Sequence, residues 1–109
     1  MAGIDPGLFR TEVSLRGALR ISDGQGGQDV GWTEAARFFA WVRPAWARQR
    51  FAVEGAEAVV THRVTLRMRD DLASGMRLGW KGREAEIVTV RDPDETGRYL
   101  LCEAREIGR

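Results

Sequence analysis

A chain of 109 residues, 43% apolar and 30% charged, has the size and composition of one folded domain with a modest core. A formal charge of +1 makes no overall electrostatic claim on nucleic acid, and a single cysteine, Cys102, excludes an intrachain disulfide and a multi-cysteine zinc site, which suits a reducing cytoplasm. No apolar run approaches a membrane span and the start is not that of a signal peptide, so no membrane association is expected.

Met1–Arg10 reads as an irregular N-terminal arm, with a turn at Pro6-Gly7 and Leu8 and Phe9 as apolar anchors. Glu12–Ile21 is a half-buried strand: Val13, Leu15, Leu19 and Ile21 share one face, and Glu12, Ser14, Arg16 and Arg20 the other. Ser22–Gly31 holds four glycines and no large apolar residue but Val30, and is expected as a flexible loop, long for a hairpin.

Trp32–Pro44 is a long, aromatic strand. Simple alternation puts Trp32, Ala36, Phe38, Ala40 and Val42 on one face and Arg37, Phe39, Trp41 and Arg43 on the other. A small antiparallel barrel has one dry face, so the second apolar set needs a partner in this chain or another. Trp32, Arg37, Phe39, Trp41 and Arg43 are therefore candidate interface residues. Of the two tryptophans, on opposite faces, one is expected in the core and the other against a neighbouring element or subunit. Pro44 ends the strand, because it has no N–H for the ladder.

Ala45–Ala58 lacks strand alternation and is expected as an inserted loop, possibly with a short helix. Trp46, Arg48, Gln49, Arg50 and Phe51 are its candidate functional residues, bulky or basic and without an acid before Glu54. Arginine interleaved with aromatic residues over Arg37–Phe51 fits a protein–protein hot spot, a platform for single-stranded nucleic acid, or a core strand followed by a solvated loop.

Thr61–Asp92 is a β-meander. His62, Val64, Leu66 and Met68 alternate with Thr61, Arg63, Thr65 and Arg67; Met76–Trp80 is a short strand; Lys81-Gly82 is a two-residue hairpin connection; Glu84–Arg91 is a further strand. The acidic turn Asp92–Gly97 leads to the last strand, Arg98–Ile107, with Leu100, Cys102 and Ala104 on one face and Tyr99, Leu101 and Glu103 on the other. Six strands with hardly any helix and no repeat make an all-β, six-stranded antiparallel barrel or sandwich in a single domain spanning 1–109.

Chemistry is thin. Asp92, Asp94, Thr96, Gly97 and Glu103 match a calcium-loop spacing, but Thr96, Pro93 and the flanking strands favour a plain hairpin turn. His62 and Cys102 read as packed core residues with no sequence-local catalytic partner. No catalytic, metal or cofactor residue is expected, and the chain does not read as an enzyme.

A resemblance covers residues 7–106. Gly7-x-x-Arg10, Gly31-Trp32 and Phe39-Ala40-x-Val42-x-Pro44, then Thr61-His62-Arg63-Val64-Thr65-Leu66-Arg67-x-Arg69, Gly75-Met76-Arg77-Leu78, Gly82-Arg83, Ile87-x-x-Val90 and Asp92-Pro93-Asp94-Glu95, resemble in order and spacing the head–tail joining proteins of long-tailed phages and gene transfer agents. These are also called stopper, head-completion or head-closure proteins. Phe39 departs from the pattern, which has Trp there; Trp41 is placed to take over part of its packing. The resemblance implies a small β-barrel with a long loop between its second and third strands. It also implies a homo-oligomeric ring of six or twelve copies in the particle neck, between the adaptor or portal ring and the tail terminator. Such a ring gates the channel and retains packaged double-stranded DNA, with no cofactor. The rival readings are a single-stranded nucleic-acid barrel and another neck component, such as a tail terminator or tail-completion protein.

Overall fold

The computed structural model describes residues 3–22, 24, 26–53 and 56–108; the side chains of 21, 28, 29, 46–53 and 56–58 also lie outside the description. Pro6–Leu8 is a single 3-10 turn, η1. Six strands follow: β1 Thr11–Ser22, β2 Gln28–Val53, β3 Ala56–Arg67, β4 Arg77–Trp80, β5 Arg83–Arg91 and β6 Tyr99–Glu106. Every pairing is antiparallel, and the sheet closes in the order β1-β2-β3-β6-β5-β4, with β4 returning to β1.

The alternation read from the sequence fills the interior. Val13, Leu15, Ala40, Val64, Leu66, Leu78, Trp80, Ala85, Ile87, Leu100, Cys102 and Ala104 form one buried cluster. Burial pushes the Cys102 thiol up to about 12, so it stays protonated and inert. The β4–β5 hairpin turns on Lys81 (φ 47) and Gly82 (φ 74), positive at both central positions as a two-residue hairpin of the I′ kind requires.

Four expectations are corrected. The loop expected over Ser22–Gly31 is shorter, because Gln28–Gly31 pairs with Leu19–Ser22. The expected half-buried β1 is half-buried only as far as Arg16, its last pair with β4; beyond that it pairs with β2 alone, and Leu19 is 48% exposed.

The third concerns the inserted loop expected over Ala45–Ala58, whose described residues, 45–53 and 56–58, are strand. Pairing of β2 with β3 breaks after Pro44↔His62 and resumes at Gln49↔Val60, running to Val53↔Ala56. Residues Ala45–Arg48 thus oppose Thr61 alone, a wide bulge that erases the alternation and starts at the residue with no N–H to donate.

The fourth concerns Trp32. Leu15 pairs with Ala36 but Arg16 with Glu34, leaving Ala35 as an extra residue in β2. A one-residue bulge inverts the facing of everything beyond it. Trp32, opposite Ala18, moves to the outer face with Arg37, Phe39, Trp41 and Arg43, so neither Trp32 nor Trp41 is core. Among the described side chains the buried tryptophan is Trp80, 6% exposed, its ring edge-on to His62 at 5.3 Å.

Because β2 outruns its neighbours, both of its ends become two-stranded arms: 17–22 with 28–33, and 49–53 with 56–60. They leave from opposite ends of one strand, and the molecule is elongated, 57 × 28 × 26 Å.

Candidate interaction surface

The outer face of β2 gathers the five residues expected at an interface. At one end the Arg77 guanidinium lies 3.9 Å over the Trp32 ring. Glu84 anchors that arginine at 3.0 Å and also accepts from Arg16 at 2.6 Å. Arg16 can lie across β4 because residue 79 is glycine: a Cβ there would come within 2.6 Å of Arg16 Nη2. In the middle, Arg37 bridges Glu34 (2.8 Å) and Glu12 (3.2 Å) in the open. These pairs raise the Arg37 pKa and lower that of Glu34, chiefly through the hydrogen bond they share. Exposed pairs of this kind contribute little to stability. Phe39 is 56% exposed. At the other end Arg43 stacks 3.9 Å over Trp41 and donates from Nη1 to Thr65 Oγ1 at 3.0 Å.

Beside Trp41 the surface becomes a thin layer of arginine over one buried acid. Arg43 faces Arg63 across the β2–β3 pair, and Arg63 faces Glu103 across β3–β6. Glu103 is 1% exposed although it points away from the barrel interior. It accepts from Thr89 Oγ1 at 3.0 Å, while Arg63 Nε at 3.7 Å and Arg91 Nε at 3.6 Å form looser ion pairs. Its Oε2 is buried without a hydrogen bond. Burial first, and the charge of Arg63 second, lower the Arg43 pKa. Among the described residues Arg43 has no carboxylate partner. Sequence reasoning missed this layer. Its signal was a lone acid, Glu103, inside the apolar run Leu100–Ala104.

A second surface lies at the barrel end carrying η1. Phe9 meets Tyr99 edge-to-face at 5.8 Å, and Pro6, Phe9, Phe38, Phe39, Arg67 and Met68 help line a cleft of about 430 Å³. Leu8, the other expected anchor, is largely exposed.

Among the described residues no cluster of His, Cys, Asp and Glu side chains is arranged to hold a metal ion. Asp92 accepts from the backbone N–H groups of Gly97 (2.7 Å) and Asp94 (3.3 Å), and Asp94 from Thr96, so these carboxylates build the turn while Glu103 sits away in the arginine layer. His62 Nδ1 lies 3.0 Å from Thr61 Oγ1 and its Nε2 3.4 Å from Arg83, which is itself held bidentately by Glu106. Burial and the Arg83 charge lower its pKa, leaving a neutral packed imidazole. The side chains of Trp46, Arg48, Gln49, Arg50 and Phe51, expected to act together, lie outside the described residues; their backbone belongs to β2. Among the described residues no helix is long and apolar enough to cross a membrane.

Comparison with known proteins agrees with the resemblance read from the sequence. Residues 4–107 match the family described as phage head completion protein. A chain in the virion of a native gene transfer agent particle is 25% identical with a TM-score of 0.63, over 88% of this chain and 93% of that one. The solution structure of protein SF1141 from Shigella flexneri 2a, 19% identical, superposes with a TM-score of 0.73 over 97% of this chain and 99% of its own, which supports the fold. No curated protein matches. Head completion is a structural role rather than an enzyme class, and the match spans nearly every residue: this chain belongs to the phage head completion protein family.

Proposed function

We propose that the chain is a ring-forming stopper in the neck of a phage-like particle, joining the portal or adaptor ring to the tail terminator and helping to close the DNA channel. The carrying observation is the outer face of β2, where Trp32, Phe39 and Trp41 stand outside the core with arginine stacked on both indoles. Tryptophan and arginine are the residues in which interface energy concentrates, and pre-stacked pairs lose little side-chain freedom on docking. The two-stranded arms support the same reading, since an isolated hairpin is marginal in water and gains from a neighbour's surface. The arm carrying Gln49, Arg50 and Phe51, with Trp46 and Arg48 in the bulge at its base, is the proposed channel element, because repetition around a ring multiplies weak arginine–phosphate contacts on one duplex.

A platform for single strands is less well supported: one face of Trp32 and one of Trp41 is already taken by a guanidinium where a base would stack.

The test removes the gene from a particle-producing cell and examines purified particles by electron microscopy. Expected are heads and tails that do not join, with heads losing DNA, and repair by the chain supplied in trans. Tailed, DNA-filled particles in its absence would overturn the assignment.

A further inference from the structure

We propose that Glu95 of one copy docks on the arginine layer Arg43–Arg63–Arg91 of the next copy, which makes this pair a head-to-tail lock between subunits; the inference rests on the ring reading above.

Among the described residues the layer is unbalanced. Arg63 and Arg91 approach one carboxylate, Glu103, only to 3.6–3.7 Å, and Arg43, one strand beyond Arg63, has none. Arg43 and Arg63 are directly opposed like charges on neighbouring strands, an arrangement that destabilises a sheet unless an anion lies between or over them. Arg43 is held ready by Trp41 on one side and the Thr65 hydroxyl on the other, which fixes its position without neutralising it. Burial first, and the Arg63 charge second, lower the Arg43 pKa. An incoming carboxylate would relieve all of this at one point, and a charge-assisted hydrogen bond to a pre-oriented guanidinium is among the stronger polar contacts available.

Among the described residues, one exposed acid stands at the tip of a turn. In the β5–β6 turn, Asp92 and Asp94 are engaged with turn N–H and hydroxyl groups. Glu95, between them and Gly97, is exposed and has no partner among the described residues. Its φ is +59, a left-handed conformation in which a glutamate is strained and glycine would be at ease. Strain kept at a turn tip with a free charge points to function rather than folding.

Within one chain Arg91 closes β5 beside the turn that carries Glu95, but Arg43 and Arg63 lie further off. The turn joins the strands at the end where Arg67 pairs with Tyr99, whereas the Arg63–Glu103 pair lies four residues further along both strands, roughly 13 Å at the rise of a strand. The turn tip and the Arg43–Arg63 pair are distinct surfaces, so contact between them is heterologous, the kind that closes into a ring when the rotation fits.

The test is charge exchange, read as copies of the chain per purified particle when variants replace the native gene. Glu95→Arg and Arg43→Glu should each lower incorporation on the order of tenfold, and the double variant should restore it to within about threefold of the parent. Glu95→Gly guards against misfolding: it relieves the left-handed strain, so the protein should melt no lower than the parent yet incorporate poorly. Single variants that incorporate like the parent, or a double variant no better than its singles, would overturn the inference. If the parent chain is present in many copies and the exchange has no effect, the inference falls and the ring reading stands. If the parent is present as one copy per particle or none, both fall.

Discussion

Glu103 is the most informative residue to perturb for stability. Replacing it by Gln keeps the shape and an acceptor for Thr89 Oγ1, but removes the negative charge that Arg63 and Arg91 approach. Removing one partner of a buried ion pair costs about 3–5 kcal/mol. Here the figure must be discounted, because the Arg63 side chain is 21% and the Arg91 side chain 60% exposed and can turn to water. The retained Thr89 contact also lowers it, since a neutral hydrogen bond contributes about 1 kcal/mol. About 2 kcal/mol remains. With a urea slope of about 1.5 kcal/mol/M, the unfolding midpoint should fall by about 1.3 M. The loss should shrink in 1 M salt, because repulsion among the arginines is then screened over about 3 Å instead of 8 Å. A midpoint unchanged within about 0.3 M, or a loss indifferent to salt, would show that Glu103 does not hold the layer together.

Three further outcomes follow from named contacts. Trp80→Ala should cost about 3–5 kcal/mol in chemical denaturation, whereas Phe39→Ala should leave the midpoint nearly unchanged and lower incorporation into particles; equal destabilisation of both would contradict the division between core and outer face. His62, whose pKa is lowered in the fold from 6.5, binds its proton more readily when unfolded, so stability should be full above about pH 6.5 and decline as pH falls below it; an NMR titration of the imidazole with a midpoint at or above 6.5 would refute this. Shortening the β2–β3 arm to a Gly-Ser turn should leave the barrel folded and heads filled while DNA escapes before tails attach; stable DNA retention would argue against gating by this arm, and failed assembly would favour a packing role.

The barrel was largely legible because the alternation of core-facing residues is written directly in β1, β3 and β6, and because Lys81-Gly82 announces its hairpin. Bulges were not. Ala35 is a small residue between Glu34 and Ala36, with nothing in its chemistry to mark the inversion that carries Trp32 to the outer face. Trp32 shares the outer face with Arg37, Phe39, Trp41 and Arg43 only through this inversion, against the alternation first used. Ala45–Arg48 misled in the opposite direction: a four-residue break in the pairing hid a strand whose ladder with β3 resumes at Gln49. Glu103 escaped notice because its meaning depends on Arg63 and Arg91, which only strand pairing brings together.

Strand β2 runs unbroken for 26 residues and forms one side of both arms. It is therefore a mechanical member as well as a wall of the barrel. A pull on either arm along its axis loads the ladder bonds to β1 and β3 in shear, so that many must yield together rather than unzip singly. Compliance is confined to two places, Ala35 and the Ala45–Arg48 bulge, where ladder bonds are missing. A displacement of one tip would reach the other as a rigid tilt of the strand pivoting at those two points, with a single polypeptide segment serving as the rod between the two ends of the molecule.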